Sequence, residues 1–224
     1  MPFILYAQEW NNPWGSGARE TAERVLGHFE QNPFAPFAEA DLKGVLKFEP
    51  YDHRRVLEEF ARNPEAGVGA RTSSPFYLEG SFTRHDLKNG VSFAGDPEYL
   101  RRGGALADAT EYVKRWRHAL PAFDQAGLSA DDRENVFFFD ELNLEPLPDC
   151  FGNFLGWYHV ISPRGYAPSF DAETLRRTPA HGVEELPDGS FAITTYPDPL
   201  DFAGEDSTRR IVEITNYLNE RRKD

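Results

Sequence analysis

Cysteine is nearly missing from this 224-residue chain, and the absence is informative. The single Cys150 rules out an internal disulfide and any cysteine-based zinc cage. A reducing compartment follows, and the expected location is the cytoplasm. Long hydrophobic runs are also missing. No stretch approaches the length of a bilayer span. The start, Met-Pro-Phe-Ile-Leu-Tyr-Ala-Gln-Glu, has no basic n-region and too short an apolar run for a signal peptide. Methionine occurs once, so the core must be built from stiffer side chains. Basic residues are in deficit, 24 against 37 acidic, and the net charge is −13. Such a surface repels a phosphate backbone and disfavours nucleic-acid binding.

Catalytic signatures are missing too. There is no Gly-x-Ser-x-Gly elbow, no Walker loop and no Gly-x-Gly-x-x-Gly. The six histidines, at 28, 53, 85, 118, 159 and 181, form neither a helical i, i+4 pair nor a Cys/His spacing. Cys150 as a nucleophile would need a base beside it in space, and His159, nine residues on, says nothing about space. His159 reads as a core histidine. Asp131/Asp132 and Asp140/Glu141 are candidate carboxylate pairs, but neighbours on a strand point to opposite faces, so Asp140 and Glu141 cannot share a substrate there. These absences imply no enzyme activity, no cofactor, no metal and no membrane partner.

What is present is an aromatic-rich α+β pattern, with 18 Phe and 4 Trp. Phe154 to Ile161 reads as a strand apolar on both faces, hence central. Val183–Leu186 and Ser190–Tyr196 flank Pro187-Asp188-Gly189, where Pro presets φ, Asp closes a local bond and Gly accepts positive φ: a hairpin. Phe3 to Glu9 predicts an opening strand. Ser16 is a candidate cap for a first helix with Ala18, Ala22, Val25, Leu26 and Phe29 inward, ended at Asn32-Pro33. The segment from Phe34 to Phe48 is undecided between helix and strand. Asp52 to Asn63 predicts a second helix, capped by Asp52, with Val56, Leu57, Phe60 and Ala61 inward. Glu65 to Ser74 reads as a small-residue loop. Phe76 to Asp86 alternates, and Asn89-Gly90 reads as a hairpin turn. Ala105 to Phe123 predicts a third helix, with Leu106, Ala109, Tyr112, Val113, Trp116 and Leu120 on one side. Val136 to Phe139 reads as a strand. A last helix starts near Asp206 or Ser207, either able to cap, with Ile211, Ile214 and Leu218 inward. The expected architecture is α+β: a mainly antiparallel sheet with about four helices packed against it, one domain over residues 1–224. No signal bears on the oligomeric state.

Charge is uneven along this pattern. Residues 1–40 carry net −3, residues 41–120 net +1 and residues 121–224 net −11. Asp124 to Asp149 holds eight acidic side chains against Arg133 alone. Acidity of this kind either keeps a protein soluble or steers a basic partner. For the second role the candidates are Asp131, Asp132, Glu134, Asp140, Glu141 and Glu145.

Several stretches together resemble a bacterial polymorphic-toxin immunity protein, most closely the Imm52 family. They are Trp14-Gly15 leading into Arg19-Glu20-Thr21-Ala22-Glu23; Gly156-Trp157-Tyr158 followed by Ile161-Ser162; Leu186-Pro187-Asp188-Gly189-Ser190 with Ala192-Ile193-Thr194-Thr195; and Asp201-Phe202 before the terminal helix. They cover the two ends of the chain, while about residues 33–135 find no counterpart. The resemblance implies a cytoplasmic protein that binds and blocks a cognate secreted antibacterial toxin, often a type VI secretion effector, here of a restriction-endonuclease-like nuclease class. It implies no active site. Two other classes remain open on sequence: an effector adaptor or chaperone, and a hydrolase whose site assembles only in three dimensions.

Overall fold

The structure, a computed structural model, describes residues 3–10, 18–42, 46–62, 68–72, 79–84, 88–120, 123–129, 134, 137–148, 151 and 155–223. Ser16, the Trp14-Gly15 turn, Asp131, Asp132 and Cys150 lie outside the described residues. Contacts divide the chain into two compact units: an N-terminal unit of residues 5–123, and a C-terminal unit of residues 1–4 and 124–224. Every strand pairing whose register is given below is antiparallel, and the class is α+β, as the sequence pattern predicts.

The N-terminal unit opens with β1 (Phe3–Trp10) and α1 (Ala18–Glu30). Val25, Leu26 and Phe29 are buried along α1 at helical spacing, as expected. Asn32 ends the helix: its amide donates to the Phe29 carbonyl at 2.8 Å, and its Oδ1 accepts from the Phe34 and Ala35 N–H groups. The undecided segment is a hairpin of β2 (Phe37–Leu42) and β3 (Leu46–Phe48). In α2 (His53–Arg62), Asp52 caps through Oδ1 to the Arg55 N–H, and Val56, Leu57 and Phe60 are buried. Ala61 is exposed rather than inward, because it falls beside the Val56–Phe60 stripe.

The small-residue stretch is not all loop: Val68–Thr72 is β4, with Val68, Gly69 and Ala70 buried between β2 and β5. Small size is what a strand flanked on both sides tolerates here. Asn89-Gly90 is not a turn. β5 (Glu79–Arg84) and β6 (Lys88–Gly95) pair Arg84 with Asn89 and Thr83 with Gly90, so both residues lie within the ladder. The strand order is β3-β2-β4-β5-β6-β1. A short 3-10 turn, Pro97–Arg101, leads into α3 (Ala105–Ala119). On α3, Ala109, Tyr112, Val113 and Trp116 are buried and Leu106 is half-buried. The core of this unit is aromatic: His28 stacks on Tyr112 at 4.6 Å and meets Trp116 edge-on at 4.2 Å.

The C-terminal unit is a sheet of order β7-β8-β10-β9. β8 (Tyr158–Ile161) lies between β7 (Gln125–Ser129) and β10 (Phe191–Thr194), and all four of its residues are buried, as a central strand requires. The strand is shorter than predicted. Trp157 precedes it, 6% exposed, with Nε1 donating to the Tyr196 carbonyl at 2.8 Å. β9 (Gly182–Glu185) completes the hairpin through Pro187-Asp188-Gly189. The Gly189 N–H donates to the Leu186 carbonyl at 2.9 Å, Asp188 Oδ1 accepts from the Ser190 N–H, and Gly189 sits at φ +80°.

Two short helices, α4 (Pro163–Tyr166) and α5 (Ala172–Arg176), connect β8 to β9, each capped by the side chain before it, Ser162 and Asp171. The last helix, α6 (Glu205–Asn219), buries Ile211, Ile214 and Leu218, the last two in a cluster with Phe151, Phe170, Leu175 and Phe191. Neither Asp206 nor Ser207 caps it. Gly204 holds that position, Ser207 is buried, and a Cβ on Gly204 would overlap the Asp201 carboxylate poised over the helix start.

Candidate functional site

The acidic stretch after α3 divides between core and surface. Asp124 is 3% exposed: its carboxylate meets Arg164 Nε at 3.2 Å and its carbonyl accepts from the Ser162 N–H. It ties α4 to the sheet. Gly165 lies so close to the Asp124 carbonyl that a Cβ would approach it to 2.5 Å. Glu134 is 0% exposed and corrects the expectation that it faces a partner. A carboxylate without solvent access cannot steer anything by charge.

Asp140, Glu141 and Glu145 are exposed. Their backbone is not the expected strand. Phe137–Glu141 is a wide helical turn, with the Leu142 N–H reaching back to the Phe137 carbonyl at 3.1 Å. The aromatic run that looks like a strand serves packing instead: Phe138 is 1% exposed, and Phe137 meets Phe202 edge-on at 5.6 Å. On this turn Asp140 and Glu141 share the solvent side, so the opposite-faces argument no longer separates them.

The Phe137–Phe202 contact joins sequence neighbourhoods that charge counting alone keeps apart. It sets the Asp140/Glu141 turn beside the segment entering α6, where Asp198, Asp201, Glu205 and Asp206 are all exposed. At the other end of α6, Asn219 Nδ2 donates to the Glu145 carbonyl at 3.2 Å. Residues 137–145 therefore run alongside α6, a helix of 15 residues and about 22 Å. Three nearby cations are engaged locally. Arg209 pairs with Asp206 at 2.5 Å, Arg210 donates to the Pro179 carbonyl at 3.0 Å, and Arg221 lies 4.1 Å over the Tyr217 ring. The result is an acidic strip with a half-buried phenylalanine pair within it. Sequence reasoning missed the contribution of residues 198–206, whose only local signal was the Asp201-Phe202 pair.

Two histidines with displaced pKa values lie elsewhere and are buried. His159 is 0% exposed, its Nε2 is 3.2 Å from Gln125 Oε1, and burial lowers its pKa to about 3. It is a neutral core histidine. His28 is lowered to about 4, first by burial and then by the Arg115 charge. Among the described residues no group of three or more His, Cys, Asp or Glu side chains is placed to hold a metal ion. Among the same residues no helix is long and apolar enough to cross a membrane.

No protein-family model matches the chain, and neither does any curated protein. Among solved structures, the chain is similar to a Pseudomonas aeruginosa T6SS (type VI secretion system) protein, with 12% identity and a TM-score of 0.56. The match covers 98% of this chain and 73% of that one, and at this identity the likeness is one of fold.

Proposed function

We propose that this chain is an immunity-type protein. It binds a secreted antibacterial toxin stoichiometrically and neutralises it, without catalysing a reaction, in the cytoplasm of the producing cell. The observation that carries the reading is the acidic strip along α6, in a unit whose residues 124–224 hold 9 basic and 20 acidic side chains, net −11. A nuclease toxin must present Lys and Arg to phosphates. An acidic protein with a matching surface competes for them and accelerates its own encounter. Phe137 and Phe202, half-buried among the carboxylates, supply the apolar centre that charge alone lacks. The fold likeness to a T6SS protein supports a secretion setting, and the Imm52-like stretches support an immunity role.

The same likeness supports an effector adaptor equally well, and inhibition separates the two. The reading frames beside the gene are expressed one at a time in a heterologous host, with and without this protein. One neighbour should arrest growth alone and be silenced by co-expression. A neighbour that binds this protein tightly yet stays toxic would establish the adaptor instead. Hydrolysis of esters, phosphodiesters or glycosides by the pure protein, abolished by a point mutation in it, would replace both.

A further inference from the structure

The outward face of β2, β3 and β4 carries a groove of about 350 Å3 whose lining includes Glu39, Asp41, Leu46, Lys47, Gly69 and Arg71. Its shape follows from register. Asp41 stands opposite Lys47 on one side and Gly69 on the other, so these three positions share a face. At Gly69 there is no side chain to fill that face, and backbone forms the floor.

Its charges are unevenly matched. Lys47 Nζ turns away from its cross-strand neighbour Asp41, to Glu39 at 2.8 Å and Glu49 at 3.2 Å. Arg71 approaches the other Glu39 oxygen at 3.7 Å. The hydrogen bond from Lys47 holds the Glu39 carboxyl below its ordinary pKa. Asp41 is exposed, and no side chain among the described residues pairs with it. Leu46, 41% exposed, pairs with Leu42 and so belongs to the opposite face; its strand, β3, is at the end of the strand order.

We propose that this groove receives a basic side chain, arginine above all, from an extended segment of a protein partner. The guanidinium completes Asp41 over the Gly69 floor. The end strand offers the partner backbone a place to run alongside. The inference rests on the binding role proposed above and adds a second contact, on the N-terminal unit.

Two measurements test it on the full-length chain. In the first, isotope-labelled protein is titrated with the capped peptide acetyl-Leu-Arg-Leu-Arg-Leu-amide and with its uncharged citrulline counterpart. The arginine peptide should shift the backbone amides of Asp41, Lys47 and Gly69. Binding should weaken by about tenfold or more with citrulline or with Asp41→Asn, whose melting temperature should match wild type. Absent shifts, or equal binding by citrulline or by Asp41→Asn, overturn the inference. In the second, affinity for the toxic neighbour is compared between wild type and Asp41→Lys, where a loss of about tenfold or more is expected. Equal affinities overturn the groove and leave the immunity reading standing. If no neighbour is toxic or bound, the immunity reading falls and the peptide titration still decides the groove.

Discussion

The two compact units solve the same stability problem with opposite surfaces. Residues 5–123 hold 15 basic and 17 acidic side chains, net −2, whereas residues 124–224 carry net −11. In the N-terminal unit many opposite charges meet one helical turn apart: Arg54 with Glu58, Arg62 with Glu59, Arg101 with Glu98, Lys114 with Glu111. Pairs of this exposed kind contribute little stability but leave little net field. In the C-terminal unit the same one-turn pairs recur, Arg176 and Arg177 with Glu173, Arg209 with Asp206 and Arg210 with Glu213, but 9 cations against 20 carboxylates leave a large surplus. A surplus concentrated in one unit, while the other stays near neutral, argues for a surface with a task over a uniform solubility coat. In the N-terminal groove Asp41 stands out because its neighbours Glu39, Lys47 and Arg71 are paired, while no side chain among the described residues pairs with it.

The largest test of this comparison is in the core. Trp157→Ala removes a buried indole and its hydrogen bond to Tyr196, and should cost about 3–5 kcal/mol by denaturant unfolding. Trp116→Ala, which breaks the His28–Tyr112–Trp116 cluster, should cost a similar amount. An unchanged melting temperature with lost partner binding would put Trp157 on the interface instead.

Next comes the contrast inside the acidic stretch. Glu134→Lys forces an ammonium into a site with no solvent access and should cost at least about 2 kcal/mol. Lysine at Asp140, Glu141 or Glu145 should each change stability by under about 0.5 kcal/mol. If all four substitutions were equally mild, Glu134 would have to be a surface residue.

What the sequence made legible follows the same division between local and tertiary causes. The four long helices stand out because their apolar stripes are periodic, and Pro187-Asp188-Gly189 because each residue satisfies a local requirement of the turn. β7 is silent: Gln125-Ala-Gly-Leu-Ser has no β-branched or aromatic residue, and only pairing with β8 makes it a strand. Asn89-Gly90, a strong turn signal, is overruled by its ladder with Thr83 and Arg84. Val136 to Phe139 reads as a strand because aromatics favour strands, yet Phe137 packs a helical turn on Phe202. Of the candidate site, the exposed carboxylates 140, 141 and 145 were legible as charge. The burial of Glu134 and the approach of residues 198–206 depend on that same packing and leave no local trace.

A smaller effect comes from His159. Its folded pKa, about 3, lies below the ordinary histidine value of 6.5, so the unfolded chain binds the extra proton between these limits. Stability from this group is complete above pH 6.5 and declines as pH falls towards 3. Between pH 6.5 and about 5, before ordinary carboxylates titrate, wild type should lose melting temperature faster than His159→Gln. Parallel curves would mean that His159 is already accessible to protons. His28, lowered to about 4, adds a decline of the same sign from the N-terminal unit.

The smallest effect on stability is the one that bears most on function. The triple variant Asp140→Lys, Glu141→Lys, Glu145→Lys changes the net charge by six units at sites that are exposed and flank α6. Folding should survive. If these carboxylates steer a basic toxin, the association rate should fall and its dependence on ionic strength should flatten, because charges beyond the contact core act on encounter. Dissociation should change less. Phe202→Ala makes the complementary test: it removes part of the apolar pair between the carboxylates, so it should raise the dissociation rate and leave the salt slope intact. The check is stopped-flow association against salt for wild type and both variants, beside protection of cells expressing the toxin. Identical rates and slopes in the triple variant would make the strip a solubility feature. The contact would then lie elsewhere, and Asp41 in the near-neutral unit would be the first place to reverse a charge.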